Sequence, residues 1–415
     1  MIKLSKPESV EMCSKRLSRI NEFLRSKVDS GKLSCVSTLI ARRGKIVHHD
    51  LVGYQDRDAK TPVQLDTLFR WYSMTKPIVC TAFMTLYEQG KCDLREPVAN
   101  YIPSFASLKV LEKDVQGKAH LVDLKTPMTI HHLLTHTSGL GYDFYEEYPV
   151  CKFYREHNIS SIARGVSLEQ FIDKLSKLPL AFQPGEHFFY GVSIDVVGRL
   201  IEIISGKPLD VFLKETIFDP LSMKETSFFV PENKRGRVAT VYGGVDVCAP
   251  GTTWTKMMDL WEKGVNKALD VSDTDPIDDP AFMRGGFGLK GTIEDYFAFT
   301  QMLLNGGEHN NQRILSPKTV NFMHMDHLMP SQLPLHFGTM QFPGYSYGLG
   351  SRVNISPAHS KLIGTAGEYG WAGAARTYYY IDPKEQMIGI FMTQLMADFS
   401  LTVDNFRTLA YQAIV

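Results

Sequence analysis

Ser73 and Lys76 stand three residues apart in Phe69-Arg70-Trp71-Tyr72-Ser73-Met74-Thr75-Lys76-Pro77. On a helix that spacing puts a hydroxyl and an amine on one face. A serine becomes a nucleophile when a base lies within hydrogen-bond reach and donors await the oxyanion that its attack creates. The start of a helix supplies such donors, because its first N–H groups lack intrahelical partners and the dipole is positive there. This segment could therefore hold nucleophile, base and one oxyanion donor together. Ser-x-x-Lys alone is a common spacing and far more often describes a solvated pair on an ordinary helix. Support has to come from elsewhere in the chain.

Two further stretches offer it. Phe188-Phe189-Tyr190-Gly191-Val192-Ser193 places Tyr190 on a loop that feeds a helix beginning near Ser193. A tyrosine beside a lysine ammonium can shuttle protons. By itself Tyr190 could be one more half-buried aromatic among 18 tyrosines. The second stretch, Gly370-Trp371-Ala372-Gly373-Ala374-Ala375, leads into the apolar run Tyr378-Tyr379-Tyr380-Ile381. Small residues there let a ligand approach the backbone, and a free strand N–H could complete an oxyanion hole. The same glycines could merely relieve crowding at a strand start.

These residues need elements to position them. Val10 to Ser30 has helical periodicity, and Cys35–Ala41 with Ile46-Val47 across the Arg42–Lys45 turn reads as a hairpin. Helical patterns dominate from Ser73 to about Gly206, including Pro77–Gln89, Ile130–Leu134, Leu168–Leu175 and Ser193–Ile204. Thr292–Asn305 is an amphipathic helix stopped by Gly306-Gly307. Tyr347–Val353, Ala374–Ile381 and Gln386–Gln394 read as strands, and a last helix runs from about Leu401 to Ile414. This order predicts one sheet built from both chain ends with an all-helical insert. The expected division is 1–65 with 240–415 as an α/β sheet domain and 66–239 as a mainly helical one, the active site lying between them.

Composition narrows the partners. The 415 residues are 44% hydrophobic and 22% charged, and 45 basic side chains balance 45 acidic ones. That balance argues against nucleic acid and against electrostatic membrane docking. The first 17 residues hold no uninterrupted apolar run and no stretch is long enough to span a bilayer, so a cytoplasmic location is expected. Six scattered cysteines (Cys13, Cys35, Cys80, Cys92, Cys151, Cys248) without Cys-x-x-Cys spacing read as reduced thiols.

Ser-x-x-Lys, then the Tyr190 motif, then the Gly-flanked strand, taken in that order, resemble the serine β-lactamase-like superfamily. More narrowly they are similar to its class C β-lactamase-related esterases and acyltransferases, the family VIII carboxylesterases. Ile130-His131-His132-Leu133-Leu134-Thr135-His136-Thr137-Ser138-Gly139-Leu140, Gly285-Gly286-Phe287-Gly288-Leu289 and Arg313-Ile314-Leu315-Ser316-Pro317 add to the resemblance, which runs from about residue 15 to the end. It implies a β-lactamase/transpeptidase-like α+β fold, an antiparallel sheet flanked by terminal helices beside the helical part. It implies Ser73 as nucleophile, Lys76 and Tyr190 as the base system, and the N–H groups of Ser73 and Ala374 as the oxyanion hole. Val192 stands where the penicillin-recognising relatives have asparagine, and Trp371 where they have lysine or histidine. Losing an amide and a cation weakens the grip on a β-lactam and its carboxylate. An ester is therefore the expected substrate, with Trp371, Gly373, Val192 and Tyr142 around it; Tyr142, Phe144 and Tyr145 are candidates for an acyl pocket or for core. The same machinery could serve a D-stereospecific peptidase, an amidase or a weak β-lactamase, and the fold could persist as a non-catalytic, self-assembling scaffold.

Two patterns are set aside. Gly344-Tyr345-Ser346-Tyr347-Gly348 fits Gly-x-Ser-x-Gly, but the residues after it look like strand and not helix. His132 and His136 have zinc-pair spacing without the glutamate of His-Glu-x-x-His. No metal and no cofactor are expected, and the sequence leaves the oligomeric state open.

Overall fold

The structure, a computed structural model, describes residues 3–157, 159, 164–247, 249–262 and 269–415. Its centre is an antiparallel sheet of eight strands. β1 (Cys35–Arg42), β2 (Lys45–Asp56) and β3 (Thr61–Pro62) come from the first part of the chain, and β4 (Phe69–Arg70) follows outside this sheet. β5 (Lys290–Gly291) pairs with β4. β6 (Tyr345–Tyr347), β7 (Arg352–Asn354), β8 (Tyr369–Ala372), β9 (Tyr378–Asp382) and β10 (Met387–Met392) complete the large sheet. Its order is β6-β7-β8-β9-β10-β1-β2-β3, and the two halves of the chain meet where Leu39 faces Ile390.

Every residue of β1 is buried, because both faces of the sheet are covered. Val36 and Ile40 point to one side, where α1 (Arg19–Asp29) and the C-terminal helix Thr402–Tyr411 supply Ile20, Leu24 and Phe406. Cys35, Leu39 and Ala41 point to the other, toward Ile78, Ile388 and Ile390. The alternation of side chains along the strand thus divides the core into two layers. The helices that carry the site lie on this second side: α2 (Thr75–Glu88), α3 (Ile130–Leu134) and α4 (Ser193–Ser205). Among the described residues no helix is long and apolar enough to cross a membrane.

The elements depart from expectation in several places. The strand expected over Tyr347–Val353 is split into β6 and β7 by a turn at 348–351, where Gly350 has φ +95°. Ala374 lies in a turn before β9 and not within a strand, since Gly373 N–H donates to Thr377 O at 2.8 Å. The helical stretch also contains a hairpin, Lys109–Lys113 with Ala119–Asp123, closed through Asp114. Cys13, Cys35, Cys80, Cys92 and Cys151 are free thiols; Cys248 lies outside the described residues.

A buried charge pair braces the approach to β5. Lys290 has no exposed side-chain surface, and its ammonium donates to Asp275 Oδ1 at 2.6 Å and to Pro276 O at 2.8 Å. Burial pulls the Lys290 ammonium below the ordinary lysine range, against the attraction of Asp275.

Candidate functional site

Ser73 is placed by strand pairing. β4 is hydrogen-bonded to β5, and Trp71 N–H continues that register by donating to Leu289 O at 3.0 Å. The chain then turns sharply through Tyr72–Met74, a single 3-10 turn, before α2 begins at Thr75. Tyr72 takes φ +47°, a left-handed value that costs a non-glycine residue on the order of 1 kcal/mol. Ser73 therefore sits in the turn ahead of the helix, where residues i and i+3 eclipse and Lys76 stands over it. From Thr67 to Leu86 it is the one residue that is not buried.

Lys76 is fully buried. Its ammonium donates to Ser73 Oγ at 3.1 Å, to Tyr142 OH at 2.9 Å and to Gly286 O at 2.8 Å. All three of its protons are thus committed to uncharged acceptors. The ammonium also lies 4.6 Å from the centre of the Tyr190 ring. Tyr190 OH accepts a hydrogen bond from Trp371 Nε1 at 3.3 Å.

Two close backbone passes bring the tyrosines together. A Cβ on Gly191 would stand 2.4 Å from the Cα of Gly141, and one on Gly141 would strike the Phe189 ring. Glycine at both positions lets Leu140–Tyr142 lie against Phe189–Gly191, with the Tyr142 and Tyr190 rings 5.5 Å apart. Behind them His136 is fully buried; its Nδ1 accepts Gly191 N–H at 3.3 Å, and burial holds its imidazole well below the ordinary range. Asp195, on α4, is fully buried as well, and burial lifts its carboxyl above the ordinary range despite the pull of Lys76.

The strand side of the site closes on the serine turn. A Cβ on Gly373 would stand 2.4 Å from Trp71 O, and Thr377 Oγ1 donates to that same oxygen at 3.2 Å. Neither Ser73 N–H nor Ala374 N–H has a hydrogen-bond acceptor among the described residues. Free donors on the half-buried serine and in the turn after Gly373 suit an oxyanion that forms only during reaction.

Several residues take unexpected places. Tyr142, expected around the substrate, has its hydroxyl on Lys76 and its ring stacked on Phe144 at 5.0 Å. Trp371, expected as an apolar wall, is that and also a donor, because a buried indole N–H needs a partner. Val192 is buried in the core at the N-cap of α4. Sequence reasoning set His136 aside as half of a zinc pair and gave no role to Asp195 or the carbonyl of Gly286, whose involvement depends on tertiary approach and leaves no spacing to read.

The set-aside patterns have ordinary explanations. Ser346 is fully buried within β6 and donates to the Asp326 carboxylate. His132 caps α3, accepting Thr129 N–H at 3.2 Å. Among the described residues no group of three or more His, Cys, Asp or Glu is arranged to hold a metal. A groove of about 780 Å³ lined by Lys45, Arg237, Asp295 and Asn310 includes none of these residues.

Comparison with known proteins places this geometry. The fold is the β-lactamase/transpeptidase-like one: the structure of EstCE1, described as a hydrolase with promiscuous acyltransferase activity, matches 96% of this chain and 99% of its own, with TM-score 0.79 and 24% identity. The chain belongs to the Beta-lactamase family, whose pattern matches residues 20–413. An uncharacterized protein of Mycobacterium tuberculosis is 32% identical, covering 91% of this chain and 90% of its own. Esterase EstB of Burkholderia gladioli is 29% identical, covering 83% and 81%.

Proposed function

We propose that the protein is a serine carboxylesterase that cleaves small-molecule carboxylic esters through an acyl-enzyme on Ser73 and can hand the acyl group to another alcohol. The observation that carries this reading is the fully buried Lys76 ammonium at 3.1 Å from Ser73 Oγ, with only uncharged acceptors around it. The similarity to Esterase EstB supports it. Ser73 Oγ attacks the ester carbonyl carbon, and its proton passes to the Lys76–Tyr190 pair. The carbonyl oxygen, now negative, takes hydrogen bonds from Ser73 and Ala374 N–H. The C–O bond breaks, the alcohol leaves with that proton, and water or a second alcohol attacks the acyl-enzyme by the same steps reversed.

The cleft is proposed to lie between the sheet portion (1–65 and 240–415), which supplies Trp371, Gly373 and Ala374, and the helical portion (66–239), which supplies Ser73, Lys76 and Tyr190. Free thiols at the five described cysteines suit a reducing compartment, and the cytoplasm is the proposed location. Recovery of the protein outside the cytoplasm on cell fractionation would overturn that placement.

The test is hydrolysis of p-nitrophenyl esters from acetate to decanoate by wild type and Ser73→Ala, with nitrocefin as control. The expected result is ester turnover that drops several orders of magnitude in Ser73→Ala, with one phosphonate adduct on the wild type. An equally active Ser73→Ala protein would sink the assignment, and preferential nitrocefin cleavage would move it to a β-lactamase.

A further inference from the structure

Gly285 and Gly286 belong to a segment that the proposed chemistry leaves without a role. A Cβ on Gly285 would stand 2.0 Å from Ile194 O, and one on Gly286 would stand 2.6 Å from Asp195 Oδ2. The two glycines therefore let this loop lie directly on the first turn of α4. The contact is polar as well as close. Gly286 N–H donates to Asp195 Oδ1 at 3.1 Å, and Gly286 O accepts from Lys76 Nζ at 2.8 Å. A single residue thus links a buried carboxyl to the lysine beside Ser73. Asp195 Oδ2 has no hydrogen-bond partner among the described residues, an expensive way to bury a carboxyl. Lys76 is the ammonium that this chain of hydrogen bonds reaches, and its attraction opposes the effect of burial on the Asp195 carboxyl.

The other titratable or charged groups facing the pair are Tyr142, Tyr190, His136, Cys80 and Arg284. They are two phenols, an imidazole kept neutral by burial, a thiol raised by burial and a guanidinium. None is a carboxyl. We propose that Asp195 is a positioning residue: through Gly286 it fixes Lys76 against Ser73, and through its charge it sets the pH at which the Lys76–Tyr190 pair gives up a proton. The roles of those two groups rest on the proposed function.

Asp195→Asn keeps an acceptor of the same shape and removes the charge. A negative charge beside an ammonium favours the protonated form, so without it the pair loses its proton at lower pH. The rate of Ser73 phosphonylation against pH reads this without knowledge of the natural ester. Its acid limb is expected to move down by about one pH unit in Asp195→Asn; an unmoved limb overturns the proposal. If that variant fails to fold, Asp195→Glu retains the charge while displacing the acceptor. It is expected to lower the rate with the acid limb in place, and a moved limb overturns the proposal. A wild-type chain that is not phosphonylated at Ser73 overturns the proposed function instead. The Asp195 link is then read by NMR titration of the Lys76 side chain, where Asp195→Asn is expected to lower the midpoint and an unmoved midpoint overturns it.

Discussion

Lys76 and Lys290 are both completely buried, yet the protein treats their charges in opposite ways. Lys290 is given a carboxylate at 2.6 Å and two carbonyls. Lys76 is given a serine, a tyrosine and a carbonyl, with its nearest carboxyl one residue removed behind Gly286. A buried ion pair is a fixed structural element, and breaking it strands a charge. A buried amine whose direct partners include a serine hydroxyl stands where a catalytic base must stand. The same residue type thus serves as brace in one place and as chemistry in the other, and the partner decides which.

The widest separation of the two should come from replacing each by methionine. Lys76→Met is expected to cut ester turnover by about 10³-fold or more, with a smaller fall in the denaturation midpoint than Lys290→Met gives, because its direct partners are all uncharged. A fall in stability with activity kept would reverse the assignment. Lys290→Met should do the converse. Leaving Asp275 buried alone costs roughly 3–5 kcal/mol, read as a lower denaturation midpoint, with turnover per folded molecule retained. A smaller effect sharpens the catalytic side: Trp371→Phe keeps the apolar surface and deletes the N–H that reaches Tyr190. A loss worth about 1 kcal/mol, a few-fold in kcat, is expected. An unchanged kcat would reduce Trp371 to packing.

The sequence carried much of this because the relevant signals are local. Ser73 and Lys76 show by their spacing once the Tyr190 and Gly373 segments support it, β1 and β2 by apolar runs on either side of a turn, and α5 (Ile293–Leu304) by the Thr292 cap with its glycine stop. What stayed illegible depends on distant backbone meeting backbone. Tyr142 looked like pocket lining because nothing within several residues of it reveals that Lys76 lies 2.9 Å away. Asp195 read as one polar position on an amphipathic helix until Gly286 was found against it. The hairpin Lys109–Lys113 with Ala119–Asp123 escaped notice because its second strand is mostly exposed and shows no alternation of apolar with polar residues.

The register at the middle of the sheet has a kinetic side. Leu39 faces Ile390 and Cys35–Arg42 lies beside Met387–Met392, so the central seam joins the earliest strands to nearly the last ones synthesised. Contacts that far apart give a high contact order, and closing so long a loop entails its entropic cost before any pairing is gained. A nascent chain leaving the ribosome holds Ser73 and Lys76 early, but β1 has no partner on that edge until Met387 emerges. Ala374, the second proposed oxyanion donor, is likewise made some three hundred residues after the serine it would assist. Competence therefore arrives late in synthesis and all together, when the final strands zip against the first.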